Sequence, residues 1–130
     1  MHEILREYYQ KLKKNGFEYA GMIEDADIIM SSFGAFSPVC GSPDDFVNMH
    51  IRLDNDIIAD IKYQCISDPT TNVAIEIICA LAKGKTLQDL LQFNDDAALH
   101  YLGCEDELLQ SKTAALLDLL RKEIFSYQKT

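Results

Sequence analysis

The chain has 130 residues, 48% apolar and 25% charged, and its 21 acidic against 12 basic residues give a formal charge of −9. A chain of this length needs only one core, so a single domain over 1–130 is expected, and this composition excludes a disordered or fibrous class. The acidic balance, with no Lys/Arg cluster to neutralise phosphates, argues against nucleic acid, and the longest apolar run, 73–82, is far short of the roughly 20 residues that span a bilayer.

The chain opens Met1-His2-Glu3-Ile4 and runs straight into a charged helical pattern. It lacks the basic start, apolar stretch and small-residue cleavage site of a secretory signal, so a cytoplasmic address is expected. Ile4, Leu5, Tyr8, Tyr9 and Leu12 recur at helical spacing over 3–13, and Asn15-Gly16 supplies the stop. Residues 27–36 read as β-like. Ser37-Pro38-Val39-Cys40-Gly41-Ser42-Pro43-Asp44-Asp45 then concentrates turn formers into a loop that carries Cys40.

Two strands follow. Val47, Met49, Ile51 and Leu53 alternate with Asn48, His50 and Arg52, and Ile57, Ala59, Ile61 and Tyr63 alternate with Ile58, Asp60, Lys62 and Gln64. With Asp54-Asn55 as the turn they predict an antiparallel hairpin, its first-named residues facing the core and its other face polar. Asp68, Thr70 or Thr71 can cap an apolar helix over 72–82, which Lys83-Gly84 ends. Thr86 and Asp89 resemble a capping pair for a helix over 87–91, and Asn94 or Asp95 starts another toward Leu102-Gly103. The last helix lies within 105–127, where Leu109, Leu116, Leu119, Leu120 and Ile124 share a face and the charges suit its dipole. Strands first and helices after predict an α+β fold, with a three-stranded antiparallel sheet covered on one face by helices.

The four cysteines, Cys40, Cys65, Cys79 and Cys104, form no C-x-x-C pair and read as reduced thiols. Cys40 beside Gly41 is placed where the backbone can expose its sulfur and nearby amides can favour the thiolate, which suits a metal ligand or sulfur acceptor; the alternative is an inert loop thiol. Asp44 and Asp45 offer hard oxygens that could complete a mixed zinc or iron site, although two acids in a turn are ordinarily just solvated. Asp68 can point back over the sheet end toward the Cys40 loop, or cap the helix with the same oxygens. Cys65 faces inward with Tyr63 and Ile61, so packing is its first role and reserve ligand its second. Cys79 reads as an inert core thiol, and Cys104, in an irregular acidic stretch, as an exposed thiol and second reserve ligand. His2, His50 and His100 stand in no metal-ligand spacing, and a Cys-His hydrolase lacks an orienting third group.

Tyr63-Gln64-Cys65-Ile66-Ser67-Asp68, the apolar helix after it, and Lys83-Gly84-Lys85-Thr86-Leu87 resemble the NifU/IscU-type iron-sulfur cluster scaffold family. Cys40-Gly41 ahead of the hairpin, the Tyr8-Tyr9 helix and the closing helix after Gly103 extend the likeness over most of the chain. The resemblance implies a SufE/NifU-like fold and a site of three cysteines and an aspartate that assembles a cluster or binds zinc. Here Cys40-Gly41 matches the family's Cys-Gly-Asp motif, with Asp45 as the aspartate that keeps the next strand in register after an insertion. Counting back from Lys83-Gly84-Lys85, the second cysteine becomes Asp68. The third, at the start of the closing helix, falls on Lys112 if the helix pattern is kept, or on Ser111 if counted from Leu102-Gly103, and neither replaces a thiolate ligand. The family's chaperone-binding Leu-Pro-Pro-Val-Lys segment is replaced by Cys104-Glu105-Asp106-Glu107-Leu108.

The expected function is that of a divergent scaffold, a binding protein more than an enzyme, that binds iron, zinc or an iron-sulfur cluster, or accepts sulfur. Cys40 would be nucleophile and ligand, Asp45 and Asp68 oxygen ligands, and Lys112 a charge partner for a thiolate or persulfide. A cysteine desulfurase or another cluster-assembly protein would be its partner. Two alternatives share the fold: an interaction module in which Lys112 pairs with Asp45 or Asp68 in place of metal, and a zinc-organised persulfide sulfurtransferase.

Overall fold

The computed structural model describes residues 1–34 and 36–129; Ala35, within the β-like stretch, and Thr130 lie outside the described residues. In chain order the elements are α1 (Glu3–Asn15), β1 (Ile28–Phe33), β2 (Phe46–Asp54), β3 (Ile57–Ile66), α2 (Pro69–Ala82), α3 (Leu87–Leu91), α4 (Ala97–Leu102) and α5 (Glu107–Gln128). The strands form one antiparallel sheet in the order β1-β2-β3. α2 packs on β3, α5 on β1, and the two helices on each other, so the helices share one face of the sheet as the strand patterning predicts. Among the described residues no helix is long and apolar enough to cross a membrane.

Alternation sets the core. Val47, Met49 and Ile51 of β2 are fully buried, and Met30, Met49 and Tyr63 line up across the three strands as one inward row. Ser32, Val47 and Cys65 form the next inward row toward the sheet end where β3 hands over to α2. Helix α2 is apolar all round because it is enclosed: beyond β3 it touches α1, α4 and α5, and Val73, Ile75, Ile77 and Ile78 are all fully buried. Each such side chain contributes roughly 1.5–3 kcal/mol relative to exposure.

The start of β3 departs from the predicted alternation. Ile58 is fully buried while Ile57 is exposed. Leu53 pairs with Ile58 and Arg52 with Asp60, so Ala59 is an extra residue on β3, and this bulge reverses which side chains face inward before it. His50 also differs, for it is buried although it lies on the outward face. The segment after α1 covers it, and the His50 Nδ1 lies 3.2 Å from the Ile23 amide nitrogen.

The predicted stop of α2 and start of α3 are found, whereas α2 begins three residues earlier than predicted, at Pro69 after the Asp68 cap. Gly84 takes φ +85° after the Lys83 C-cap, a left-handed position that favours glycine, and Thr86 and Asp89 form a reciprocal capping box. Asp106 caps α5 through the Leu109 amide.

Candidate functional site

The end of the sheet where β1 finishes, β2 starts and β3 leads into α2 gathers the loop carrying Cys40, the 67–68 turn and the second turn of α5. Ser37 organises the loop. Its hydroxyl hydrogen-bonds the Ser32 hydroxyl and accepts the amides of Val39 and Cys40 at 3.2 and 3.3 Å. Cys40 is buried, 6% exposed, and its thiol donates to the Ser32 carbonyl at 3.7 Å. The exposed sulfur expected from the turn-rich sequence is therefore corrected: the loop folds inward and packs Cys40 against the end of β1.

Two side chains tie this loop to the start of α2. Asp45 Oδ2 accepts the Gly41 amide at 3.0 Å and the Ser67 hydroxyl at 3.4 Å, so one carboxylate links the residue after Cys40 to the residue before Asp68. Lys112 makes the second tie. Its ammonium donates to the Val39 carbonyl, on the other flank of Cys40, and lies 3.3 Å from Asp68 Oδ2. Ser111 is exposed, so of the two residues matched to the third cysteine position it is Lys112 that faces the site.

Asp68 caps α2 and also meets Lys112. As N-cap of α2 it accepts the Thr71 amide at 2.8 Å, and its other oxygen accepts the Thr71 hydroxyl at 3.1 Å while meeting Lys112. Burial pushes its carboxyl up, but the Thr71 amide and the Lys112 ammonium outweigh that and hold it below the usual carboxylate value. Cys65 is half-buried on the inward face. Burial first, then the nearby Cys40, Asp68 and Asp45 groups, push its thiol up to about 12, with Lys112 opposing. Cys65 is thus a neutral thiol at neutral pH, within electrostatic reach of Cys40, both acids and the lysine.

Cys40, Asp45, Asp68, Lys112 and Cys65 come together at this end. Cys104 stands apart: it is buried rather than exposed, its thiol is raised by burial and by Asp106, and it lines a cavity with His2, Asp96, His100 and Glu105 near the start of α5. Asp44 is exposed, and Cys79 is fully buried in the core as its sequence setting predicts. Among the described residues no group of three His, Cys, Asp or Glu side chains is arranged to hold a metal ion. The chemistry of the donors agrees: Asp68 faces an ammonium, which has no lone pair to offer, and Asp45 is engaged by an amide and two hydroxyls. The set as arranged does not fit a resident metal ion.

Sequence reasoning missed the hydroxyl framework of Ser32, Ser37 and Ser67, since loop serines carry no signal of their own. It also passed over Glu76, the one charge inside the apolar 73–82 run. Glu76 is 3% exposed, accepts the Tyr63 hydroxyl at 3.0 Å and lies 3.4 Å from the Tyr19 amide nitrogen. A charged residue at a buried helical position was the signal that could have revealed it.

The NifU-like N-terminal domain matches residues 7–130. The chain belongs to this family. Two iron-sulfur cluster assembly scaffold proteins of Archaeoglobus fulgidus, IscU 1 and IscU 2, are each 31% identical over 107 residues, covering 82% of this chain. The match spans 66% of those relatives' own length, just under two thirds. A NifU-like protein (N-terminal) from Brucella abortus shares the fold with a TM-score of 0.69 at 12% identity, over 99% of this chain and 94% of that one. A structure from Fervidobacterium islandicum, described as a candidate iron-sulfur cluster assembly scaffold protein for the SUF system, gives a TM-score of 0.59 at 17% identity, over 97% and 94%.

Proposed function

We propose that this NifU-like chain, one domain over 1–130, takes part in iron-sulfur cluster assembly by accepting sulfur on Cys40, with a cysteine desulfurase as the donor of the sulfur. The observation that carries this reading is Lys112, whose ammonium sits between the Val39 carbonyl and the Asp68 carboxylate. That placement puts a fixed positive charge one residue from Cys40 and takes Asp68 out of the pool of free donors. A cation held on the neighbouring carbonyl can serve as counter-charge to a persulfide formed in this loop, whereas a metal ion would first have to displace the lysine. Asp45 and Asp68 then position the loop, and iron, zinc or a cluster would be cargo received after Lys112 has moved.

The sulfur step is a transpersulfidation. The Cys40 thiolate attacks the outer sulfur of a donor persulfide, a new S–S bond forms on Cys40, and the donor leaves as its thiolate. Anaerobic incubation with a cysteine desulfurase and cysteine, followed by peptide mass spectrometry, tests this. Cys40 should gain about 32 Da, one sulfur, and Cys40→Ala should abolish the gain. Sulfur found on another cysteine with Cys40 unmodified would refute the assignment.

The same ion pair favours a second reading, an interaction module that keeps the fold and carries the Lys112–Asp68 pair in place of chemistry. Under it Cys40→Ala changes neither sulfur uptake nor association with a desulfurase. Iron and zinc after anaerobic purification should be at background in the wild type, measured by elemental analysis; a stoichiometric metal lost in Cys40→Ala would contradict both readings.

A further inference from the structure

Sulfur in a persulfide is at the oxidation level of elemental sulfur, while a cluster needs sulfide, so two electrons must reach it. A second thiol beside the persulfide can supply them, and this chain has one that lies outside the cysteine positions its family resemblance marks. The cross-strand row Ser32–Val47–Cys65 faces the helices, and the Cys40 thiol rests on the carbonyl of Ser32, at the other end of that row. Both neighbours of Cys40 are tied to the turn that follows Cys65. Gly41 reaches Ser67 through Asp45, and Val39 reaches Asp68 through Lys112, and these two anchors lie two and three residues beyond Cys65. Cys79 is sealed within α2 and Cys104 lines the separate cavity near α5, so Cys65 is the other thiol at the sheet end that holds Cys40.

We propose that Cys65 is the resolving thiol of this site: it attacks the inner sulfur of a Cys40 persulfide, forms a Cys40–Cys65 disulfide and releases hydrosulfide. The Cys65 sulfur gives up its proton to a neighbouring carboxylate or water and bonds to the Cys40 sulfur. The bond to the outer sulfur breaks, and its electron pair leaves with HS⁻. The two cysteines are together oxidised by two electrons and the outer sulfur is reduced by two, so a single release needs no other reductant. Repeated release needs a dithiol reductant to reopen the disulfide. Burial and the surrounding acids keep Cys65 protonated, pushed up to about 12, so it does not compete with Cys40 for incoming sulfur and reacts only with a sulfur already delivered beside it.

The inference rests on sulfur acceptance at Cys40, and its test separates the two. The full-length chain is loaded anaerobically with glutathione persulfide, then followed by intact mass, non-reducing peptide mapping and assay of free sulfide, in the wild type and in Cys65→Ser and Cys65→Ala. The wild type should release about one sulfide per chain and acquire a Cys40–Cys65 cross-link. Both variants should keep about 32 Da on Cys40 and release sulfide at least about tenfold more slowly. A persulfide on Cys40 that persists equally in the wild type and the variants overturns the resolving role and leaves sulfur acceptance standing. No sulfur on Cys40 in either variant, with both folded by circular dichroism, overturns acceptance and the resolving role together. Mild oxidation of the wild type with diamide is a sulfur-free check: a Cys40–Cys65 disulfide is expected, and a bridge formed only between other cysteines counts against the pairing.

Discussion

Helix α2 and its N-cap carry two acids shifted in opposite directions. Asp68, its N-cap, is partly exposed and surrounded by donors: the Thr71 amide, the Thr71 hydroxyl and the Lys112 ammonium. Glu76, eight residues on and buried, has the neutral hydroxyl of Tyr63 at hydrogen-bond distance, and burial, reinforced by the charge of Glu18, pushes its carboxyl above the usual value. The fold therefore keeps a charge at the sheet end and disfavours one beside Tyr63. The Thr71 amide and a cation reaching in from α5 make the difference, so the site end is organised by polar and charged contacts and the helix middle by packing.

Asp68 is the strongest place to break this contrast. Asp68→Ala removes the α2 cap and leaves Lys112, only 13% exposed, with the Val39 carbonyl alone. A loss of about 2–3 kcal/mol is expected by urea unfolding, less than for a fully buried pair because Asp68 itself is 38% exposed. Asp68→Asn keeps a good capping side chain and loses only the charge, so it should recover about half of that loss. Equal losses in the two variants would mean that capping contributes nothing here.

Lys112→Ala comes next in size. It strips a charged hydrogen bond from Val39 and the counter-ion from Asp68, while Asp68 keeps both Thr71 contacts. About 1–2 kcal/mol should be lost. The Cys40 loop should also loosen, which cysteine alkylation rates measure directly: Cys40 should react faster than in the wild type while the fully buried Cys79 stays protected. An unchanged Cys40 rate would show that Asp45 and Ser37 hold the loop without the lysine.

The architecture was legible because it depends on local periodicities. Alternation in β2, the capping box at Thr86 and Asp89, and the glycine after Lys83 each act within a few residues. The reading failed where distant segments decide. Ala59 becomes a bulge only when β3 meets β2, so Ile57 and Ile58 exchange sides with no local sign of it. Cys40 looked exposed because its loop is rich in turn residues, yet β1 supplies the carbonyl that draws the thiol in. Cys104 is likewise buried within an acidic stretch, because the chain between α4 and α5 packs it beside Leu99 and Gly103. At the site, counting from Lys83-Gly84-Lys85 pointed to Asp68 and the closing-helix pattern to Lys112, but which oxygens the lysine would engage depends on how α5 crosses the sheet end.

Glu76→Gln tests the other half of the contrast and should give the smallest change, of opposite sign. With the folded-state pKa raised above the ordinary 4.5, the folded chain binds this proton more tightly than the unfolded chain does. The contribution of Glu76 is fully present below about pH 4.5 and is lost as pH rises through its folded-state value, so the charged form is a penalty at neutral pH. Glutamine keeps an oxygen for the Tyr63 hydroxyl and carries no charge. The melting temperature should rise by a few degrees at neutral pH and match the wild type near pH 4. Asp68→Asn should show the reverse slope. The depressed Asp68 value stabilises the fold above about pH 4 and stops doing so as the pH falls through it, so that variant's deficit should shrink in acid. Parallel slopes for the two variants would mean that the acids share one environment, and that the Lys112 ion pair does not distinguish the sheet end from the helix middle.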